Sequence, residues 1–323
     1  MANVTIANPT NNLNLALKIF SGEVLTAYPQ LSLTEGLFTE RTITSGKSAQ
    51  FPVIGRTKAH YLKPGMNLDE VRENIGHAEK TIVIDGLLTA DQLIADIDDF
   101  INHYDVRQVY AQQIAEALAI SKDASAIAEV AKEVVANKEN LTGLGKGAIV
   151  ERTLKQGETV GINPETGKQI YDILLDVSAK MSNNHVPEGD RSCFVTPEHF
   201  SALASVLDFL NKNYGANGTI TEGKVMRLAG FDIKKCPHLT RGGDDKTNVL
   251  QGEGHEFPQA YKDKSPIIMC HKSSIGILKL KDLRTEHARR PEFQADQIIA
   301  SYAIGMGGLR PEACFMGIVK NNA

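Results

Sequence analysis

The apolar positions near the start of the chain predict an amphipathic helix. Apolar side chains recur there at steps of three or four residues, which is the spacing of one helical face. They are Leu13, Leu17, Phe20, Val24 and Tyr28. Pro29 ends the predicted helix, because proline cannot donate the next helical hydrogen bond. The apolar face needs cover, which either the chain's own core or a second copy of the chain would supply.

Residues 41–85, called the arm below, change to a strand pattern that predicts a protruding hairpin. Strand-like runs cover residues 42–44, 50–54 and 77–85. Between the last two runs lies a polar stretch, residues 63–74, with few side chains that could form a core. An isolated two-stranded hairpin is only marginally stable in water. We therefore expect the arm to lie on a neighbouring surface, either of its own chain or of another.

Two runs of helical periodicity follow the arm. The first begins at a capping box, residues 89–92, and continues through Leu93 to Tyr104. The second covers residues 106–137, and as one helix it would be roughly 48 Å long. Since the average globular helix has only about 11–12 residues, a break near residues 121–123 stays an open alternative.

The second half of the chain alternates between helices and strands. Residues 141–167 are rich in glycine and polar side chains, which predicts a domain boundary with a mobile loop. Thr196 and Pro197 have the residue types of a helix cap and of a first helical position. The other predicted elements are a helix at 170–181, a buried strand at 193–195, a helical face of Phe200, Leu203, Leu207 and Leu210, strands near 230–233, 266–269 and 275–278, and a loop at 240–256. This mixture predicts the α+β class.

Composition excludes several classes of protein. The 323 residues carry 35 Lys and Arg against 39 Asp and Glu, a formal net charge of −4, whereas dedicated nucleic-acid binders are usually strongly basic. No apolar run reaches the roughly 18 residues of a membrane helix, and residues 1–9 lack the pattern of a signal peptide. The four cysteines lie far apart, which predicts reduced thiols rather than disulfides or a zinc site.

No motif in the chain predicts catalysis, a cofactor or a metal. Gly46-Lys47-Ser48 resembles part of a phosphate-binding loop, but Arg41 stands where that loop needs a glycine, and a strand pattern follows. The glycines of residues 143–147 and 305–308 lack the setting of a dinucleotide site and predict loops or turns. Asp96, Asp98 and Asp99 fit a solvated acidic helix face.

A local basic patch lies at residues 279–290 and includes Arg289 and Arg290. It could bind phosphates. Salt bridges to an acidic surface, such as residues 96–99, fit the modest net charge at least as well.

Several runs along the chain closely resemble the major capsid proteins of autographivirus-type, T-seven-like, short-tailed bacteriophages. The runs cover nearly the whole chain in order, and the resemblance is weaker at 141–187 and 240–264. They are residues 22–27 (GEVLTA), 45–53 (SGKSAQFPV), 85–91 (DGLLTAD), 102–107 (NHYDVR), 288–300 (ARRPEFQADQIIA) and 307–313 (GGLRPEA).

This resemblance implies the tailed-phage (Hong Kong 97-type) capsid fold. In that fold the amphipathic start is the N-arm, and the hairpin is the E-loop, which reaches onto a neighbour. The long helix is the spine helix of the P-domain, and the later α/β part is the A-domain. The implied boundaries are 1–38 for the N-arm, 39–86 for the E-loop, 87–147 for the P-domain with its spine helix, 148–280 for the A-domain, 281–308 for the P-domain return strand and 309–323 for the A-domain closing strand.

The resemblance also implies a structural protein of the virion and not an enzyme. It implies hexamers and pentamers that close into an icosahedral shell around double-stranded DNA, with no sequence-specific DNA binding and no membrane. A scaffolding protein, a portal protein and expansion of a precursor shell during maturation are implied too, with assembly in the host cytoplasm. The alternatives are an encapsulin-type nanocompartment and a cytosolic nucleotide-using enzyme.

Candidate contact residues follow from mapping the family's parts onto this chain. Relatives of this type are not expected to form Lys–Asn cross-links, so none is predicted for Lys58, Lys63, Asn67 or Asn74. The expected inter-subunit contacts are Lys63, Asn67, Asp69, Glu70, Arg72 and Glu73 in the E-loop and Leu17, Phe20 and Val24 in the N-arm, with Arg289 and Arg290 as salt-bridge residues.

Overall fold

The computed structural model describes residue 24 and residues 31–95, 106–206, 227–243, 250 and 254–322. The strands in these ranges are β1 (Thr39–Thr42), β2 (Ser48–Ile54), β3 (His77–Val83), β4 (Leu88–Ala95), β5 (Ala148–Thr153), β6 (Arg191–Val195), β7 (Arg227–Leu228), β8 (Phe231–Lys235), β9 (Ile267–His271), β10 (Ile275–Arg290), β11 (Ala295–Gly308) and β12 (Cys314–Lys320). The helices are α1 (Leu68–Val71), α2 (Val106–Ala136), α3 (Pro164–Asn183) and α4 (Pro197–Ala204), with 3₁₀ turns at Gln259–Lys264, Pro291–Phe293 and Pro311–Ala313. The α+β class is confirmed.

A six-stranded sheet carries the core of the second half of the chain, in the order β5-β12-β9-β6-β8-β7. Successive residues of a strand point to opposite faces. In β6, Cys193 and Val195 therefore face α3 and α4, whereas Phe194 faces α2. Because both faces are covered, residues 193–195 are fully buried, which confirms the predicted buried strand.

A four-stranded sheet has the order β1-β10-β11-β4. At its centre, β10 and β11 form a long antiparallel pair that runs from Ile275 opposite Gly308 to Arg290 opposite Ala295. Strand β10 includes the predicted strand at 275–278 and continues without a break to Arg290, so it is much longer than the sequence pattern indicated.

Helix α2 is unbroken and packs on both sheets. Its 31 residues make it about 46 Å long. Ile114 and Leu118 in its first half pack against the four-stranded sheet. Ile127 and Val134 in its second half pack against the six-stranded sheet. The helix therefore joins the two sheets into one core.

The polar residues that suggested a break in α2 are buried in the middle of the helix. Asp123 accepts hydrogen bonds from the backbone amides of Leu33 and Thr34, at 2.6 and 3.1 Å. Lys122 pairs with Glu35 from the same segment. Because these partners satisfy both charged side chains, the helix continues through them.

The helix predicted from residue 89 is wrong for the described part, because residues 88–95 form strand β4. Every residue of β4 is paired with β11, from Leu88 opposite Tyr302 to Ala95 opposite Ala295. Ala90 and Ile94 pack toward α2, and Asp91 points to solvent, which is the alternation of a strand. The long pairing outweighs the local capping signal. Residues 96–105 lie outside the described residues.

The turn predicted at residues 305–308 is also wrong, because these residues belong to β11. A Cβ on Gly305 would come within 2.0 Å of the Val83 carbonyl oxygen, and one on Gly308 within 2.1 Å of the Glu133 side chain. The glycines therefore permit close approach of neighbouring segments to the strand rather than a turn.

The predicted loop at residues 141–167 is correct only in part. Gly143 and Gly145 have φ near +90°, as expected for a loop. The short apolar run beginning at Ala148, however, forms β5, which pairs in parallel with β12. Helix α3 then begins at Pro164, with Asn163 as its cap.

Other predictions agree with the structure. Helix α3 buries the predicted stripe of residues 170–181, and Thr196 caps α4. The four cysteines are buried and form no disulfide. None of the described helices is long and apolar enough to cross a membrane. The predictions that lie outside the described residues are the helix of residues 13–28 apart from Val24, the acidic cluster Asp96, Asp98 and Asp99, the face residues Leu207 and Leu210, and most of the loop at 240–256.

Candidate functional site

The root of the arm, residues 48–54 and 77–85, packs on the chain's own core. Strands β2 and β3 pair antiparallel, from Ser48 opposite Val83 to Ile54 opposite His77. The buried side chains of this root are Phe51, Val53, Ile82 and Ile84, and most of them pack against Leu278, Ala303 and Leu309 of the main fold. Burial of each large apolar side chain contributes about 1.5–3 kcal/mol. The root therefore lies on a surface of its own chain, which is one of the two alternatives left open by the sequence.

The tip of the arm, residues 56–76, has no such cover. Every side chain described in this segment is exposed. Beyond Arg56 at its base, the tip makes local contacts: Asn67 caps α1 by accepting from the Asp69 amide, and Arg72 pairs with Asp69 at 2.9 Å. Exposed ion pairs of this kind contribute at most about 1 kcal/mol. The tip is thus shaped by its own contacts but is not packed against the rest of the chain.

The tip also exposes large apolar side chains. Tyr61 is fully exposed and Leu68 is 64% exposed, and Leu62, Met66 and Ile75 are exposed as well. Clustered exposed apolar side chains mark interaction surfaces. The E-loop contacts predicted from the sequence were all polar residues and did not include this group. Tyr61 and Leu62 stand directly before the polar stretch, and this position in the sequence could have indicated the apolar group.

One contact ties the base of the tip to the end of α3. Arg56 donates to the Asn184 carbonyl oxygen, and its Nη1 lies 3.1 Å from His185 Nδ1. Asn184 Nδ2 in turn donates to the Glu312 carbonyl oxygen at 3.3 Å. Burial raises the pKa of the Glu312 carboxyl, although nearby arginines, including Arg56, partly oppose the shift. These hydrogen bonds connect the base of the tip to the main fold.

The predicted E-loop residues all belong to the tip. The five whose side chains are described are exposed, and the Glu70 side chain lies outside the description. They are Lys63, Asn67, Asp69, Arg72 and Glu73.

The predicted N-arm contact is corrected at one position. Val24 is fully buried in a cluster with Ile94 and Ile114 of the same chain, so its side chain belongs to the chain's own core. Leu17 and Phe20 lie outside the described residues.

The two predicted salt-bridge residues lie at the far end of the β10–β11 pair. Arg289 Nη1 is 3.1 Å from Asp296 Oδ1. Arg290 Nε donates to Gln297 Oε1 at 2.8 Å, and its Nη1 is 3.6 Å from Glu292 Oε1. Phe293, in the turn beside them, is largely exposed. The described contacts of both arginines are with their own chain, and contacts with an adjacent subunit stay a prediction.

Comparisons with known proteins give a consistent result. Residues 50–316 match the family model described as "Gp10A-like: Major capsid protein". The chain is 45% identical over 317 residues to the major capsid protein of Enterobacteria phage T3, covering 94% of this chain and 91% of that protein. It is 44% identical over 322 residues to the major capsid protein of Escherichia phage T7, covering 96% and 93%.

A solved structure agrees with these sequence matches. The capsid structure of the cyanophage P-SCSP1u superimposes with a TM-score of 0.74 at 31% identity, covering 90% of this chain and 89% of that chain.

Proposed function

Because the chain belongs to the Gp10A-like family of phage major capsid proteins, we propose that it assembles as hexamers and pentamers into an icosahedral shell enclosing double-stranded DNA. Its role is structural, and its place is the capsid of the virion. The observation that supports the assembly mode is the tip of the arm, which projects beyond its own core and exposes both charged and apolar side chains.

In this proposal the tip is the E-loop contact with an adjacent subunit. Tyr61 and Leu68 would bury their side chains on the neighbour, and the surrounding charges, among them Lys63 and Asp69, would orient the contact. Exposed charges give specificity more than affinity. A single contact of this size is weak. Repeated around a closed shell, such contacts give a cooperative assembly in which a misplaced subunit can still dissociate.

The domain division is proposed on the same basis. Residues 1–38 form the N-arm, 39–86 the E-loop, 87–147 and 281–308 the P-domain, and 148–280 with 309–323 the A-domain. The two sheets support this division, because β4 and β11 lie in the four-stranded sheet, whereas β5, β6, β8, β9 and β12 lie in the six-stranded sheet. Strand β10 crosses the boundary at residue 280 and belongs entirely to the four-stranded sheet.

The proposed partners are a scaffolding protein and a portal protein, and the precursor shell expands during packaging. The enclosed DNA is held without sequence-specific binding. A net charge of −4 supports this part of the proposal, since an inner wall that bound DNA strongly would oppose packaging.

The alternatives do not receive the same support. The family and sequence matches favour a phage capsid protein over an encapsulin-type compartment. The nucleotide-using enzyme required a helix after Gly46-Lys47-Ser48, but strand β2 begins at Ser48. We therefore propose no enzymatic activity.

The assembly role of the tip can be tested by replacing residues 63–74 with a short glycine-rich turn. The chain should still fold, because the root keeps its buried side chains, but shell formation should fall by at least tenfold. Electron microscopy and sedimentation of the purified protein measure the shell yield, and thermal unfolding measures the fold. Normal shells from this variant would contradict the proposed role.

A matched pair of point variants separates the tip from general surface effects. Leu68 and Ile162 are both 64% exposed, but Ile162 lies before α3 and away from the arm. Leu68→Ser should reduce shell yield, and Ile162→Ser should reduce it much less. Equal yields from the two variants would show that the apolar contact is not specific to the tip.

A further inference from the structure

A buried histidine joins the root of the arm to the long helix. His255 is 3% exposed. Its Nε2 lies 2.7 Å from Asp85 Oδ2, and its Nδ1 lies 2.8 Å from Glu129 Oε1. Asp85 lies two residues after the end of β3, whereas Glu129 belongs to α2. One imidazole therefore connects three segments: the end of the arm at Asp85, helix α2 at Glu129 and the loop around residue 255. Asp85 and Glu129 are 44 positions apart in the chain.

The hydrogen-bond geometry fixes the protonation state of this ring. An ionised carboxylate can only accept hydrogen bonds, so each ring nitrogen that faces one must carry a proton. Both nitrogens of His255 face a carboxylate, and the ring is consequently the imidazolium cation. A neutral ring would leave one nitrogen lone pair against a buried carboxylate oxygen, which is repulsive.

The surrounding charges support the same state. Lys132 on α2 pairs with Glu129 at 2.7 Å and also donates to the Gly254 carbonyl oxygen. Two cations thus balance the two carboxylates. Burial alone would lower the pKa of His255, but its hydrogen bonds to Asp85 and Glu129 outweigh this and raise the pKa to about 9. The same contacts lower the pKa of Glu129 against the opposing effect of its burial.

A further ion pair lies along the same two elements. Lys80 on β3 pairs with Glu133, one helical turn after Glu129 on α2, at 3.6 Å. A cavity of about 240 Å³ adjoins the ring and is lined by Asp85, Ser121 and Ser125, among others. This cavity gives protons and water access to an otherwise buried group.

We infer that His255 is a charge-dependent lock, which in its doubly protonated form fixes the root of the arm to helix α2 and releases that connection when it loses one proton. The lock uses contacts within one chain and does not depend on the proposed contact of the tip with a neighbour. It makes the attachment of the arm sensitive to alkaline pH.

The direction of the pH effect follows from the raised pKa. A histidine whose pKa is about 9 in the folded chain and 6.5 in the unfolded chain contributes fully below pH 6.5. The contribution falls progressively from there and is absent above about pH 9. Glu129, whose pKa is lowered, stays ionised throughout this window, so the change is assigned to the histidine.

The test measures the unfolding temperature of the full-length chain between pH 6 and pH 10 for the wild type and the variants His255→Gln, Glu129→Gln and His77→Gln. His77 is an exposed histidine on the same hairpin and serves as the control. His255→Gln should lower the unfolding temperature by about 5 °C at pH 6 and by much less at pH 10. His77→Gln should follow the wild-type profile.

The variant Glu129→Gln distinguishes a stabilisation that depends on the charge of His255 from one that depends only on packing. It leaves the ring with one carboxylate, which should move the alkaline loss of stability to lower pH by about one unit. A purely structural role would leave this midpoint where it is. Hydrogen exchange of β2 and β3, corrected for the intrinsic rate at each pH, should show the root opening in the same window.

Two outcomes would overturn the inference. The first is a difference between the wild type and His255→Gln that stays constant from pH 6 to pH 10. The second, which decides the question even if the variants do not fold, is a wild-type unfolding temperature and root protection that do not fall between pH 6.5 and pH 9. Neither outcome affects the proposed role of the tip, which is read from shell yield.

Discussion

The buried guanidinium of Arg191 shows how a single side chain can hold two segments together. It is almost fully buried at the start of β6. Nε donates to the Pro187 carbonyl oxygen at 2.8 Å and Nη2 to the Val186 carbonyl oxygen at 2.7 Å. Nη1 lies 3.2 Å from Ser178 Oγ on α3. The charge is satisfied by oxygen acceptors, and the end of α3 is thereby tied to the following loop.

Arg191→Met should therefore destabilise the fold by about 3 kcal/mol, because it leaves several buried acceptors without a donor. Chemical denaturation of the full-length chain measures the loss. Arg227→Met is the matched control, since Arg227 is half exposed and its nearest partner, Asp232, is 3.7 Å away. A loss below about 1 kcal/mol at Arg191, or an equal loss at Arg227, would contradict this account.

Of the residues in the tip, the sequence pointed only to the polar and charged ones. The polar tip residues, such as Lys63 and Arg72, were found because a polar stretch between two strands indicates exposure. Tyr61 and Leu68 were missed, because an apolar residue in a sequence is first taken as a core residue. Their exposure depends on how far the tip projects, and this is a property of the fold rather than of the local sequence.

At the level of elements, strands that need distant partners were the hardest to predict. The apolar stripe of helix α3 is local, at residues 170–181, and it was predicted correctly, whereas the start of the helix at Pro164 was not. Strand β4 was not, because its pairing partner β11 lies about 200 residues later and the local capping box favours a helix. Likewise, Phe51 and Ile82 of the root are covered by Leu278 and Ala303, which no local pattern connects to the arm.

The glycines of β11 give a test at this scale. Gly305→Ala should destabilise the chain by about 3 kcal/mol, because the new methyl group would overlap the Val83 carbonyl oxygen and push the arm's root away from β11. Thermal unfolding, together with hydrogen exchange of β3, measures the effect.

A second glycine provides the control for this variant. Gly189→Ala has no atom within 4 Å of the added Cβ and should change stability by less than about 0.5 kcal/mol. If the two substitutions had the same effect, close packing of the root on β11 would not be the reason for glycine at position 305.

At the scale of the whole molecule, the arm divides into a root that folds with its own chain and a tip that does not. The long helix α2 supports this division, because it joins both sheets and holds the root through Glu129 and His255. A folded core from which a partly apolar tip projects suits a subunit that must close into a shell. The sequence predicted the hairpin, but the boundary between root and tip emerged only from the packing.

We propose that the tip completes its packing on an adjacent subunit. An electron cryomicroscopy reconstruction of assembled shells measures this directly. We expect residues 56–76 to lie on the neighbouring chain, with Tyr61 and Leu68 buried in the contact. A reconstruction in which the shell is closed while both side chains remain in solvent would contradict it.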